Sequence, residues 1–349
     1  MKHLTYFIFL CFLVSCQTKT ESNTKTKLDL ELVKVKEIKL EESDNPIGIV
    51  SSVKIDRDSV LYLLDISSSD VKIYNLQGKF IKRIGGKGKG PNQLLSPRNF
   101  CITEKFVIVG DLGNYTIKFF SKENSQLYKT LNMKKYRPVF GETLLFDNKI
   151  ITTGLWDGER NYNDAVIVMD TSGNFLKSIG EYPPEYPEYE KLDATTFIDI
   201  NSKGDMLICF IQSPSISIVN LLSGFSKKEN FESMRNLYVS EKYKQDMLTI
   251  EDFEKINLSI FYNTCIRFLN DTLIVRGVAK HNEKSSSQGS FVNALNACEI
   301  FSEKFEMIGK SNVKGTMRDV FNGLILIEEC DDPNNRIYSF YEARITQKK

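Results

Sequence analysis

The strongest constraint on this chain is its own repetition. From Ile47 onward, short stretches rich in Ile, Val, Phe and Tyr recur in groups of four, split by polar turn residues. The first group reads IGIVSSVKID, VLYLLDI, DVKIYNL, GKFIKRIG, and the second RNFCITEK, FVIVGDL, TIKFFSK, QLYKTLN. The third reads ETLLFDN, KIITTGL, DAVIVMDTSG, NFLKSIG, and the fourth TTFIDINSKG, DMLICFI, SISIVNLLSG, FSKKENF. The fifth reads NTCIRFLN, DTLIVRG, NACEIFSE, FEMIGKS. The sixth, GTMRDVFNG, LILIEEC, RIYSFYEA, stops one strand short. The first two strands of a group meet at a polar tip such as Asp56-Arg57-Asp58 or Asn270-Asp271, and the last two at a tight turn such as Gln77-Gly78 or Ser172-Gly173. Both turns use residues that tolerate positive φ. Four-stranded antiparallel units repeated about six times predict an all-β fold, a six-bladed β-propeller.

The segment LDLELVKVKEIKLEE, Leu28 to Glu42, alternates apolar and charged residues and belongs to no group. It is expected to supply the missing outer strand of the sixth blade and close the ring, because an open ring leaves a sheet edge unpaired. The propeller is thus expected over 28–349.

The first residues form no part of that fold. Lys2 opens a short basic start, and an apolar run of eleven residues follows, Leu4 to Val14. At ~1.5 Å per residue the run covers about half of a ~30 Å hydrocarbon core, so it reads as a signal peptide over 1–15 and not a membrane span. It ends in Leu13-Val14-Ser15-Cys16, which resembles the lipobox of bacterial lipoproteins and implies lipidation at Cys16. Residues 16–27 then make the lipidated cysteine and a polar tether with nothing to bury. Gln17 rather than an aspartate follows the cysteine, which points to the outer membrane. The only acid before Leu28 is Glu21, too few for an acidic surface-export signal, so a body facing the periplasm is expected.

The repeat carries a family resemblance. VKIYNLQGKFIKRIGGKGKGP and its echo AVIVMDTSGNFLKSIG resemble the six-bladed β-propeller lipoproteins of Bacteroidetes, related in pattern to NHL and TolB-like propellers. That pattern often continues Gly-x-Gly-Pro-Gly-Glu-Phe. Here Asn92, Gln93 and Leu94 replace its last three residues. The resemblance implies the fold over nearly the whole body and leaves function open.

Glycines 85, 86, 88 and 90, mixed with Lys87 and Lys89, suggest at first a phosphate cradle. A P-loop needs Gly-Lys-Ser/Thr opening a helix. Here Pro91 follows Gly90 and the next segment is a strand, so no helix N-terminus waits for phosphate. The stretch instead lies where the chain crosses from the rim of blade one to the axis of blade two. Its glycines permit tight turning, Pro91 and Pro97 direct it, and the lysines are expected in solvent.

Four inserts interrupt the pattern. Gly154 to Asp164 holds the only tryptophan, Trp156, with Arg160 and Tyr162, and could stack on a sugar or peptide or simply pack on its neighbour. Glu181 to Asp193, rich in proline and tyrosine, is expected to be stiff and extended between blades three and four, either a partner surface or a bridging loop whose tyrosines pack down. Glu229 to Ile260 breaks the strand pattern and predicts a short helical insert between blades four and five. Ala279 to Phe291 is a serine-rich polar loop.

Little chemistry is available. After removal of the signal, 45 basic and 45 acidic residues balance, which gives no nucleic-acid footprint. His281 is the body's only histidine, so a multi-histidine metal site is impossible and a Ser-His-Asp triad lacks its Gly-x-Ser-x-Gly elbow. Neither cofactor nor nucleotide is implied. Five cysteines remain, Cys101, Cys209, Cys265, Cys298 and Cys330, several inside apolar runs, and read as free thiols. Carboxylates are left. Asp65 and Asp111 end the second strands of blades one and two, with Glu328 and Glu329 in that place in blade six and Arg276 in blade five. Asp65, Asp111, Arg276 and Glu328, with Arg98 as a further channel-face candidate and Trp156 and Arg160 on the loop inside blade three, are the candidate ligand-binding residues. The rival role for such an aspartate is to hold loop backbone amides.

These readings favour a non-enzymatic, lipid-anchored binding module of the cell envelope, with a protein or glycan partner on one loop face. The alternatives are a propeller lyase, lactonase or glycan hydrolase using mouth carboxylates, or a purely structural scaffold.

Overall fold

Strand alternation and glycine-bearing turns produce twenty-four strands among the described residues of a computed structural model. It describes residues 28–156, 164–183, 195–230, 261–282, 292–330, 332 and 335–347. Blade one is β2 (Val50–Ile55), β3 (Val60–Asp65), β4 (Asp70–Asn75) and β5 (Phe80–Gly85). Blade two is β6 (Pro97–Ile102), β7 (Phe106–Asp111), β8 (Thr116–Ser121) and β9 (Leu127–Asn132). Blade three is β10 (Tyr136–Phe146), β11 (Lys149–Trp156), β12 (Asp164–Asp170) and β13 (Phe175–Glu181). Blade four is β14 (Thr196–Ile200), β15 (Asp205–Phe210), β16 (Ser215–Asn220) and β17 (Ser226–Asn230). Blade five is β18 (Phe261–Asn270), β19 (Leu273–Lys280), β20 (Leu295–Ser302) and β21 (Met307–Val313). Blade six combines β22 (Thr316–Phe321), β23 (Leu324–Cys330) and β24 (Ile337–Gln347) with β1 (Leu28–Lys39).

The N-terminal strand closes the ring as expected. β1 lies antiparallel to β24 from Leu28↔Gln347 to Lys39↔Ile337, with one register shift between Lys34 and Lys36. The core is divided the same way. Six apolar clusters fill the gaps between neighbouring blades, each drawing residues from two of them. One of these joins Ile38, Leu40, Tyr338 and Phe340 of blade six to Val53, Leu61, Leu63 and Tyr74 of blade one. Burying such side chains contributes about 1.5–3 kcal/mol each, and spreading them over every junction makes closure a property of the whole ring.

Two departures from the expected pattern matter. β10 begins at Tyr136, ahead of the expected ETLLFDN, and its pairing with β11 shifts between Pro138 and Thr143. Pro138 lacks an N–H for the ladder, so the chain bulges toward the axis there. Within the bulge Gly141 bridges in parallel to Thr196, merging blades three and four into one eight-stranded sheet. Only glycine fits that bridge. Its φ is +147°, and a Cβ would lie 2.1 Å from the Thr196 carbonyl oxygen.

The second departure concerns helices. None occurs among the described residues. The helical insert expected within Glu229 to Ile260 falls on 231–260, outside them, and finds no support.

The glycine stretch is the blade junction that the repeat implied. Gly85, Gly86 and Gly88 have φ of +93°, +116° and +154°, while Gly90 does not need the left-handed region. The amides of Gly86, Gly88 and Gly90 already donate, to Ser69 O, Leu94 O and Gln93 Oε1. The loop's carbonyls do the unexpected work. Lys118 Nζ donates to Gly90 O at 3.1 Å, Pro91 O at 3.1 Å and Gln93 O at 2.6 Å. This has the opposite polarity to a phosphate cradle, which aims N–H groups at an anion. Lys87 and Lys89 are exposed, as expected.

Candidate functional site

Antiparallel blades give the ring two unlike sides. Turns within the first and last hairpins of each blade form one side, here the turn face. The links from an outer strand to the next inner strand, and from second strand to third, form the mouth. A 390 Å³ cavity opens there, within the size range of small-ligand sites. Its wall includes Ile49, Phe140, Phe197 and Ile211 on the apolar side, and Asn263, Thr264, Thr316 and Arg318 on the polar side. Those four polar residues come from β18 and β22, and Ser51, Ser52, Glu142 and Thr195 add polar groups from blades one, three and four.

A charge cluster adjoins the cavity through Glu142, one of its lining residues. Arg267 on β18 donates from Nη2 to Glu142 Oε1 at 2.6 Å and from Nε to Asp319 Oδ1 at 2.7 Å. Lys54 on β2 also pairs with Glu142. Asp199 on β14 accepts the Phe268 amide at 2.7 Å. Two cations face three carboxylates, one too many. Burial disfavours charge on Glu142, but Arg267 and Lys54 outweigh it and hold the carboxyl below its ordinary value. For Asp199 burial wins over Arg267, and nearby Asp319 adds to it, so the carboxyl is pushed up to about 6. Protonation of Asp199 relieves the imbalance.

The sequence does contain a signal for this cluster. Lys54, Cys101, Asp199, Arg267 and Asp319 each pair with the third residue of the second strand: Tyr62, Ile108, Leu207, Val275 and Leu326. In blade three Leu144 takes that register, opposite Ile151, and Glu142 reaches the channel from the bulge instead. Four charged residues at one repeat position of inner strands, where alternation leads to an axial face, mark the channel.

The candidates read from strand ends stand as follows. Asp65 and Asp111 are fully buried. Asp65 accepts the Gly48 amide at 2.9 Å, the Ser67 amide at 3.0 Å and the Lys72 ammonium at 2.7 Å. Burial would raise its pKa, but the Gly48 amide and Lys72 hold it low. Asp111 accepts the Leu95 and Ser96 amides at 3.0 and 2.7 Å and the Asn114 side chain at 2.6 Å. Both carboxylates staple the incoming link to the second strand. Glu328 is equally buried, and takes Arg318 Nε at 2.7 Å, Arg336 Nη1 at 2.8 Å and Tyr338 Oη at 2.8 Å. It therefore contributes to the mouth through Arg318, whose Nη1 has no hydrogen-bond partner among the described residues.

Arg276 is not at a strand exit. It is the fourth residue of β19, paired with Ile266 and Glu299, because that strand runs on to Lys280. Fully buried, it donates to Glu299 and lies 5.2 Å from the Phe301 ring. Arg98 lies against Phe140, 4.0 Å from the ring centroid, and so braces the apolar wall of the cavity. Trp156 stacks on Phe175 at 4.7 Å, packing on its own blade. Arg160 and Cys16 lie outside the described residues, as does most of the Glu181 to Asp193 connector. His281 meets Tyr262 edge-on at 5.4 Å, and burial lowers its pKa. All five body cysteines are free, and burial pushes the Cys101, Cys209 and Cys265 thiols up to about 12.

Comparison with known proteins agrees with this architecture. No curated protein matches the sequence. The chain is similar in structure to a member of the DUF4221 family from Bacteroides vulgatus, at TM-score 0.69 and 15% identity over 93% of this chain and 100% of the other. It is also similar to a Bacteroides fragilis protein named for its expected export, at TM-score 0.58 and 12% identity over 95% and 98%. Such identities speak for fold alone. Residues 14–217, more than half of the sequence, match the profile of the DUF5128 family, described as a 6-bladed beta-propeller. Taken with six blades closed by β1, this match means that the chain belongs to the DUF5128 family of six-bladed β-propellers.

Proposed function

We propose that this protein is a non-catalytic binding module of the bacterial cell envelope, anchored through a lipid on Cys16, and that it takes an envelope protein or a glycan at its channel mouth. One observation carries the reading. Among the described residues the mouth holds a cavity of 390 Å³ lined by both apolar and polar side chains, while the carboxylates around it are committed to cations or amides. Arg318 can hydrogen-bond a ligand there, and Phe140 and Phe197 can stack on it. The lipobox-like Cys16 supports the envelope, and the B. fragilis neighbour is likewise named for its expected export. A periplasm-facing body on the outer membrane is the orientation that Gln17 and the sparse acids of the tether favour.

Carboxylate catalysis is the weaker alternative. Glu142 and Asp319 approach each other, but across the Arg267 guanidinium, which keeps Glu142 ionised. Asp199 has the raised pKa of a general acid but is not part of the cavity wall.

The test is a glycan array and an envelope pull-down with the full chain and an Arg318→Glu variant. A partner or glycan retained by wild type and lost by the variant supports the reading. Binding unchanged by the variant moves the site off the mouth, and no binding at all by wild type sinks it. Turnover of a glycan or lactone that stops in Asp199→Asn would establish the enzyme instead.

A further inference from the structure

The turn face carries an apolar patch that the ring does not use. Phe146, Leu176, Leu221 and Leu222 line a common 140 Å³ cleft where blades three and four meet, with Lys149 and Lys177 at its edge. Leu176, Leu222 and Phe225 are 49, 67 and 61% exposed. These are large side chains gathered on the neighbouring turns of blades three and four. Lys177 is exposed and makes no ion pair with a described residue.

The path of the chain says what covers this patch. β1 starts at Leu28, opposite Gln347, the end of β24. In blade four the first residue of the second strand, Asp205, pairs with Asn220 at the turn that contains Leu222 and Phe225; the matching pair in blade six is Leu324↔Glu342, so β1 and β24 run five residues past the turn level on the same side. By the rotational repeat, the chain therefore enters the ring from the side of the turn face, just beyond the level of its turns, on blade six, across the ring from blades three and four. Eleven residues separate Cys16 from Leu28, at most about 40 Å fully extended. We infer that the patch is a second membrane contact. Lipid on Cys16 holds the blade-six side, and Leu176, Leu222 and Phe225 enter the headgroup boundary on the far side, with Lys177 meeting anionic headgroups while Lys149 stays paired with Asp147. Two contacts across the ring set the turn face against the bilayer and aim the mouth away from it. The inference rests on the anchoring in the proposed function.

The experiment uses the full, membrane-recovered chain in vesicles of phosphatidylethanolamine and phosphatidylglycerol. Cys330→Ser removes the one body cysteine that is not buried. An environment-sensitive label is then placed through Leu222→Cys or, on the mouth side, Tyr115→Cys, and nitroxide lipids act as quenchers. Quenching several-fold stronger at position 222 than at 115, abolished at 222 by Phe225→Glu and Leu176→Glu with the far-UV spectrum unchanged, is the expected result. Equal quenching at both positions, with the chain still in the vesicle fraction, overturns the docking and leaves the anchor standing. A wild-type chain that salt strips from vesicles overturns the anchor and the docking together. A label at 222 shielded without vesicles, in a dimer seen by light scattering, assigns the patch to a second copy and also overturns the proposal.

Discussion

Asp199 and Arg267 govern the channel at the level of single residues. The folded pKa of Asp199, about 6, stands above the roughly 3.9 of an unfolded aspartate. The folded state then binds the extra proton between these values, so this group's contribution to stability falls as pH climbs from about 4 through about 6. In urea unfolding, Asp199→Asn should lose less stability than wild type over that interval; parallel curves would refute the assignment. Arg267→Ala leaves Glu142 and Asp319 without their shared cation and should cost about 3–5 kcal/mol, read as a shift in the urea midpoint. At this scale the sequence was only partly legible. Asp65 and Asp111 stood out because they end strands, and a strand-end aspartate has loop amides within reach. Arg276 was misplaced because β19 extends past the length of its counterparts in blades one and two. The cluster residues went unseen because a charged side chain within an apolar strand reads as its solvent side until second-strand pairing fixes the register.

Among elements, the inner strand of blade three and the closing strand make the sharpest predictions. Gly141→Ala brings a Cβ against the Thr196 carbonyl and forbids the φ of +147°. It should separate β10 from β14, lowering the melting temperature and speeding proteolysis at the junction of blades three and four. Ile38→Ala opens a void between blades six and one, and should cost about 2–5 kcal/mol in denaturant titration. Lys118→Met leaves three loop carbonyls without their donor, and should increase hydrogen exchange across 86–94 while blade four is unaffected. Strand grouping was the most legible level, because alternation and turn residues repeat with each blade. The early start of β10 was hidden, since Pro138 and Gly141 read as strand breakers when in fact they shape a bulge.

For the molecule as a whole, the six inter-blade clusters predict one cooperative unfolding transition that reports equally at every blade. Replacing Leu30 and Ile38 together with aspartate should release β1, abolish that single transition and expose apolar dye-binding surface. A multistep transition in wild type would show instead that the blades are independent. Closure also sets an order of events. β1 is synthesised first, yet its partner β24 arrives only after roughly 300 further residues. The entropy of joining such distant segments grows only logarithmically with their separation, so the delay is kinetic and hardly weakens the finished ring. The alternating lysines and glutamates of β1 suit a strand that must wait in water. Its late pairing acts as a proofreading step: a chain cut short anywhere before Ile337 keeps two bare sheet edges, and only a complete copy hides both.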